Sequence, residues 1–142
     1  MNDTPGNTPP SLRPIPEPDA DSAPYWQAAS EGRLSLPQCA ACGKIAFPPR
    51  QICPACNASR MEWITLSGRG TVYSHCVMHE RFVRGVNPPL AIGQIELKEQ
   101  AGLRLVTNIL GCAPEAVRIG MPVEAVFEEI APGVRLPQFR PR

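Results

Sequence analysis

No stretch of the 142-residue chain approaches the roughly 20 consecutive apolar residues that a membrane-spanning helix needs. The N-terminus also lacks the basic-then-apolar layout of a secretory signal, so the sequence reads as that of a cytoplasmic protein, in a compartment that keeps thiols reduced. Aromatic residues are scarce at 6%, which leaves few platforms for stacking bases. Only two histidines occur, neither inside a recognisable catalytic signature, and there is no glycine-rich loop of the kind that cradles phosphates. A nucleophile, a base and an orienting group cannot be assembled from what remains, so a stand-alone enzyme is not indicated. Net charge is +1, far from the strong positive field that binding through nucleic-acid phosphates requires. No internal repeat is visible.

What charge there is lies unevenly. The first 31 residues hold five acids against one arginine, and the rest hold thirteen bases against eight acids, leaving a mildly basic body. Residues 1–24 contain seven prolines, no aromatic residue and only Leu12 and Ile15 as sizeable aliphatics. Such a segment buries too little apolar surface to offset its chain entropy, which predicts a disordered proline-rich arm over residues 1–20. A short helix is predicted within residues 21–35: Asp21 or Ser22 as its cap, Pro24 in its first turn, Tyr25, Trp26 and Ala29 at helical spacing, and Gly32 as its stop.

From residue 67 to residue 142 the pattern is that of strands. Val72 to Met78 alternates, and a loop from Glu80 to Pro89 follows, with Arg81 and Arg84 in it. Leu90 to Glu99 reads as a second strand whose apolar phase shifts near Gly93, as a β-bulge requires. Leu103 to Ile109 makes a third, Ala113 to Ile119 a short helical turn, Val123 to Ile130 a fourth and Val134 to Phe139 a fifth. Five strands with a helical insertion between the third and fourth is the plan of an OB-fold barrel, so the predicted fold is mainly β.

Between helix and barrel, residues 36–66 carry Cys39, Cys42, Cys53 and Cys56 in the spacing Cys-x2-Cys-x10-Cys-x2-Cys. Gly43 and Asn57 follow the second cysteine of each pair, where a tight turn wants a residue tolerant of left-handed backbone. Paired cysteines in a reducing compartment are metal ligands before they are disulfides. Four thiolates complete a tetrahedral shell with no open position, which suits structural zinc, with rubredoxin-like iron as the alternative. Leu34, Leu36, Ile45, Phe47, Ile52 and Trp63 are the apolar residues available to pack around this zinc ribbon. Cys76 and Cys112, without such context, read as small buried hydrophobes. His75 and His79 share a strand face but stand about 13 Å apart, too far for one metal ion.

Tyr25-Trp26, Gly32-Arg33-Leu34, the cysteines around Phe47-Pro48-Pro49-Arg50, Gly68-Arg69-Gly70, Pro88-Pro89-Leu90 and Val117-x-Ile119-Gly120-Met121-x-Val123 together resemble the domain-of-unknown-function-35 family over residues 21–139. The resemblance implies an N-terminal helix, a zinc ribbon and an OB-fold in that order. It further implies a non-catalytic accessory subunit of a thiolase-superfamily enzyme, whether thiolase, aldolase or acyltransferase. By the same resemblance the ribbon and its leading helix dock on that partner, and the OB domain sits near the mouth of a shared acyl-CoA site. Tyr25 and Trp26 are then the expected partner anchors, because exposed aromatics make strong interface contacts. Arg81 and Arg84 are the expected ligands for coenzyme A phosphates. The alternative reading is a single-stranded nucleic-acid-binding protein, since zinc ribbons and OB-folds both do this. Residues 90–99 and 103–110, the central strands of the barrel, contain no aromatic residue to support it.

Overall fold

The structure, a computed structural model, describes residues 13–142, and the part of the expected disordered arm before Arg13 lies outside the described residues. From Arg13 onward the arm is laid along the barrel: the Arg13 guanidinium donates to Gly85 O at 3.3 Å and to Glu128 at 3.0 Å. Helix α1 spans Ala23–Ser30, with Pro24 in its first turn. Ser22 takes the N-cap position, but its hydroxyl does not cap the helix; it is turned back to Asp19, whose carboxylate also accepts the Ser22 N–H at 2.8 Å. At the other end Gly32 N–H donates to Ala29 O and Arg33 N–H to Ala28 O, the paired bonds that close a helix on a left-handed glycine. Ala28 and Ala29 are the buried residues of α1, which packs on both the ribbon and the last barrel strand.

Strands β1 (Ser35–Cys39) and β2 (Met61–Thr65) pair antiparallel, with Leu36 opposite Ile64, and form the base of the ribbon. The barrel follows as β3 (Arg69–Met78), β4 (Leu90–Leu97), β5 (Arg104–Ile109), a 3-10 turn (Pro114–Ala116), β6 (Pro122–Ala131) and β7 (Val134–Pro141). It closes in the order β3-β4-β5-β7-β6, with β5 and β7 meeting in parallel at Ile109 and Phe139. This is the expected five-stranded OB-fold.

The bulge expected near Gly93 is not there. Ala91, Gly93, Ile95 and Leu97 all point inward in one unbroken alternation, and register shifts fall instead between Val72 and Ser74 of β3 and between Glu129 and Ala131 of β6. A Cβ on Gly93 would lie 2.4 Å from Ile109 Cδ1, so the inner space at that position is already taken. Leu90 and Ile92, which suggested the phase shift, face outward into a groove.

Leu34, Leu36 and Ile45 belong to the same buried cluster as Leu66, Val72, Ile95, Val123 and Phe139, so one core runs through ribbon and barrel. Phe47 and Ile52 do not enter it, being 36% and 57% exposed. Beside that core the Gln100 side chain acts as a short strand. Its carbonyl accepts the Ile45 N–H at 2.9 Å, and its amide donates to Ile45 O at 3.0 Å. Gln100→Ala orphans both backbone groups and is expected to cost about 1–3 kcal/mol in denaturant unfolding. Faster exchange of the Ile45 amide should accompany it, and an unchanged midpoint would show that the bridge is dispensable.

Candidate metal centre

Two short loops, the first following β1 and the second lying between it and β2, bring four sulfurs to one point. In the first, Cys39 N–H donates to Lys44 O and Gly43 N–H to Cys39 O; in the second, Cys53 N–H donates to Ala58 O and Asn57 N–H to Cys53 O. The two knuckles are thus near-copies, and each needs left-handed backbone after its second cysteine, with φ of 79° at Gly43 and 63° at Asn57. Asparagine is among the few non-glycine residues that adopt this conformation readily. The same turns aim N–H groups at sulfur: Cys42 N–H at Cys39 Sγ (3.5 Å) and Ala55 N–H at Cys53 Sγ (3.4 Å). The Cys42 N–H, with that of Ala41 and the thiols of Cys56 and Cys42, holds the Cys39 thiol down, to about 6, against the penalty of burial.

All four sulfurs lie within 4.8 Å of one another. The Cys39–Cys56 and Cys42–Cys53 separations are both 3.6 Å. A tetrahedron of about 2.3 Å metal–sulfur bonds has an edge of about 3.8 Å, so the shell is sized for one ion. Cys39 and Cys53 are buried at 2% and 0% exposure, whereas Cys42 and Cys56 face solvent, which places the site at the ribbon surface with one ligand of each pair rooted in the core. Bound there, a metal would brace the two loops. With four sulfurs it would have no vacant position for a substrate.

The other expected residues separate. Tyr25 packs against the core, and burial pushes its hydroxyl up to about 12. Trp26 meets it edge-on at 5.1 Å and lines a surface groove of about 310 Å³ together with Pro16, Pro18, Val134 and Arg135. Arg81 and Arg84 stand exposed on the β3–β4 loop, Arg81 bonded to Asn87 Oδ1 at 2.9 Å. Cys76 is exposed, so it is not the buried hydrophobe expected, whereas Cys112 is half-buried and packs against the core. Beyond Val72, whose N–H donates to Met121 O and whose carbonyl accepts the Gly120 N–H, β3 pairs with β4 alone, so the rest of the strand has no second neighbour to cover it. Sequence reasoning also missed a polar chain across the barrel, from Asn108 through the fully buried Gln138 to Glu128 and Arg13. No local pattern announces it, because its members are separated by up to 115 residues.

Comparison with known proteins agrees with this architecture. A family model described as the rubredoxin-like zinc ribbon domain of ChsH2 matches residues 26–62, and one described as its C-terminal OB-fold domain matches residues 63–128. A relative from Thermomonospora curvata, described as a probable enoyl-CoA hydratase alpha subunit, is 39% identical over 94% of this chain and 41% of its own length. The chain therefore spans less than half of that relative. Benzoylsuccinyl-CoA thiolase subunit BbsA of Thauera aromatica is 33% identical over 69% of this chain and 67% of its own. Among solved structures, a chain of the Ltp2-ChsH2(DUF35) aldolase superposes with a TM-score of 0.81 at 38% identity, covering 89% of this chain and 98% of that one.

Proposed function

The chain belongs to the DUF35 family, and from that membership we propose that it is a non-catalytic accessory subunit of a thiolase-superfamily enzyme acting on an acyl-CoA. One observation carries the reading: the match extends over 98% of a chain of the Ltp2-ChsH2(DUF35) aldolase at 38% identity. The closed sulfur shell supports it, since a saturated site braces structure and offers nothing to a substrate. Zinc is the ion assigned to the ribbon, and the purified protein is accordingly expected to be colourless, whereas iron in four thiolates would turn it red.

The partner surface is assigned to α1 and the adjoining ribbon, with Trp26 as the anchor and Tyr25 as the buried ring that sets its angle. Arg81 and Arg84 are assigned to the phosphates of acyl-CoA at the shared site, and the complex to the cytoplasm. Among the described residues no helix is long and apolar enough to cross a membrane. Purification from the native host tests the whole reading: a thiolase-family protein is expected to co-purify, and recovery of nucleic acid in its place would overturn it. Within the recovered complex, Trp26→Ala is expected to weaken association roughly 30-fold, the size of an interface hot spot. An unchanged affinity would move the anchor elsewhere.

A further inference from the structure

Strand β3 loses one of its two neighbours partway along. β4 accompanies it to Met78, but on the other side β6 pairs only over Arg69–Thr71, and Val72 then exchanges backbone bonds with Gly120 and Met121. The segment that leads into Gly120 comes from the interior, where Val117 is fully buried, and from Ser74 to Met78 no described residue bonds to this side of the strand. Unpaired N–H and C=O groups in a row are a template for a further strand, and proteins commonly blunt such edges with lysine or proline. This edge has neither: no Asp, Glu, Lys, Arg or Pro occurs from Thr71 to His79, and Tyr73 to Cys76 are exposed. An uncharged strand can lie beside a copy of itself without opposing like charges, and an antiparallel pair about a two-fold axis satisfies both backbones at once. Cys76 is the midpoint of the free stretch. The fullest register therefore sets it opposite Cys76 of the second copy, with Ser74 opposite Met78 and His75 opposite Val77. In that register the loop after β3 of one copy leaves the edge beside Ile119 of the other. Phe82 and Ile119, at 78% and 72% the most exposed large apolar residues described, are thereby carried to the same margin of the contact, where each can cover the other.

We propose that the free edge of β3, from Ser74 to Met78, pairs antiparallel with the same edge of a second copy of this chain, making a two-fold dimer centred on Cys76. Sedimentation of the full chain under reducing conditions is expected to show monomer passing to dimer as the concentration rises through the micromolar range. Cys76→Lys sets two lysines face to face at the axis and should weaken the dimer at least about fivefold, whereas Cys76→Ser should leave it unchanged. Ile119→Ser, which lies outside the strand, should weaken it as well, and thermal midpoints report which variants stay folded. The register has its own readout, because residues directly opposite in an antiparallel pair lie about 4.5–5.5 Å apart at Cα, within the span of a disulfide. Brief oxidation of the dimer with copper-phenanthroline is expected to link the two copies through Cys76, as read by peptide mapping. The proposal is overturned by a chain that stays monomeric, by a dimer that neither Cys76→Lys nor Ile119→Ser weakens, or by cross-links that avoid Cys76. None of these results depends on acyl-CoA or on co-purification with a partner enzyme, so failure of the dimer and failure of the accessory reading are separately visible.

Discussion

Cys53→Ser is expected to abolish metal retention and to destabilise the entire chain by more than about 4 kcal/mol, a size reserved for lost metals, disulfides and deep cavities. Cys53 is wholly buried and roots one of the two knuckles, so its loss leaves a three-sulfur site whose loops no longer hold each other. Structural zinc contributes folding free energy outright, about 10–16 kcal/mol in isolated zinc-finger peptides. Part of that is retained here, because the β1–β2 pair also rests on the barrel. The decisive feature is the shared core: Leu34, Leu36 and Ile45 pack in one cluster with barrel residues, and a ribbon that opens uncovers them all. Metal analysis is expected to show about one zinc per chain in the parent and none in the variant. Denaturant unfolding followed by Trp26 and Trp63 should remain a single transition at a lower midpoint. A variant that lost its metal but kept the parent midpoint would show the ribbon to be an appendage. Cys76→Ser is the control: exposed on β3, it should retain the metal and stay within about 0.5 kcal/mol of the parent.

The four-cysteine cluster was legible in the sequence because its determinants are local. Two cysteines three residues apart, followed by Gly43 or Asn57, specify a turn and its sulfurs without reference to the rest of the fold. Strand order was legible for a similar reason, since alternation and turn residues mark β3 to β7 within a few residues of their ends. Alternation fails where both faces of a strand are apolar. Leu90 and Ile92 look like core residues, but the inward positions beside them are Ala91 and Gly93, the latter kept small by Ile109, and the larger side chains line the outer groove. The exposure of Cys76 has a different cause. The bulge after Val72 and the absence of a second neighbouring strand decide it, and both are tertiary facts. Gln100 and Gln138 are the furthest from local inference, because a glutamine that bonds backbone 55 residues away is indistinguishable in sequence from a solvated one.

Phe139→Ala is expected to cost about 3–5 kcal/mol, the usual range for a fully buried aromatic cut to alanine. Its side chain is 0% exposed and is the largest of the fully buried ones. Position adds to size, because Phe139 stands at the seam where β7 meets β5 in parallel and β6 antiparallel, opposite Ile109 and Ala125. Its carbonyl accepts the Leu110 N–H at 2.7 Å, so a cavity there loosens the contact that closes the barrel. Val106→Ala, on β5 but 70% exposed, should by contrast lie within about 0.5 kcal/mol of the parent in the same unfolding assay. Because Phe139 and the ribbon residues share one cluster, the two large effects are expected to be non-additive. Removing the metal first should leave the core partly opened, so Phe139→Ala then costs less than it does in the intact chain. An equal cost in both backgrounds would mean that ribbon and barrel unfold independently, and that the metal holds only the loops that bind it.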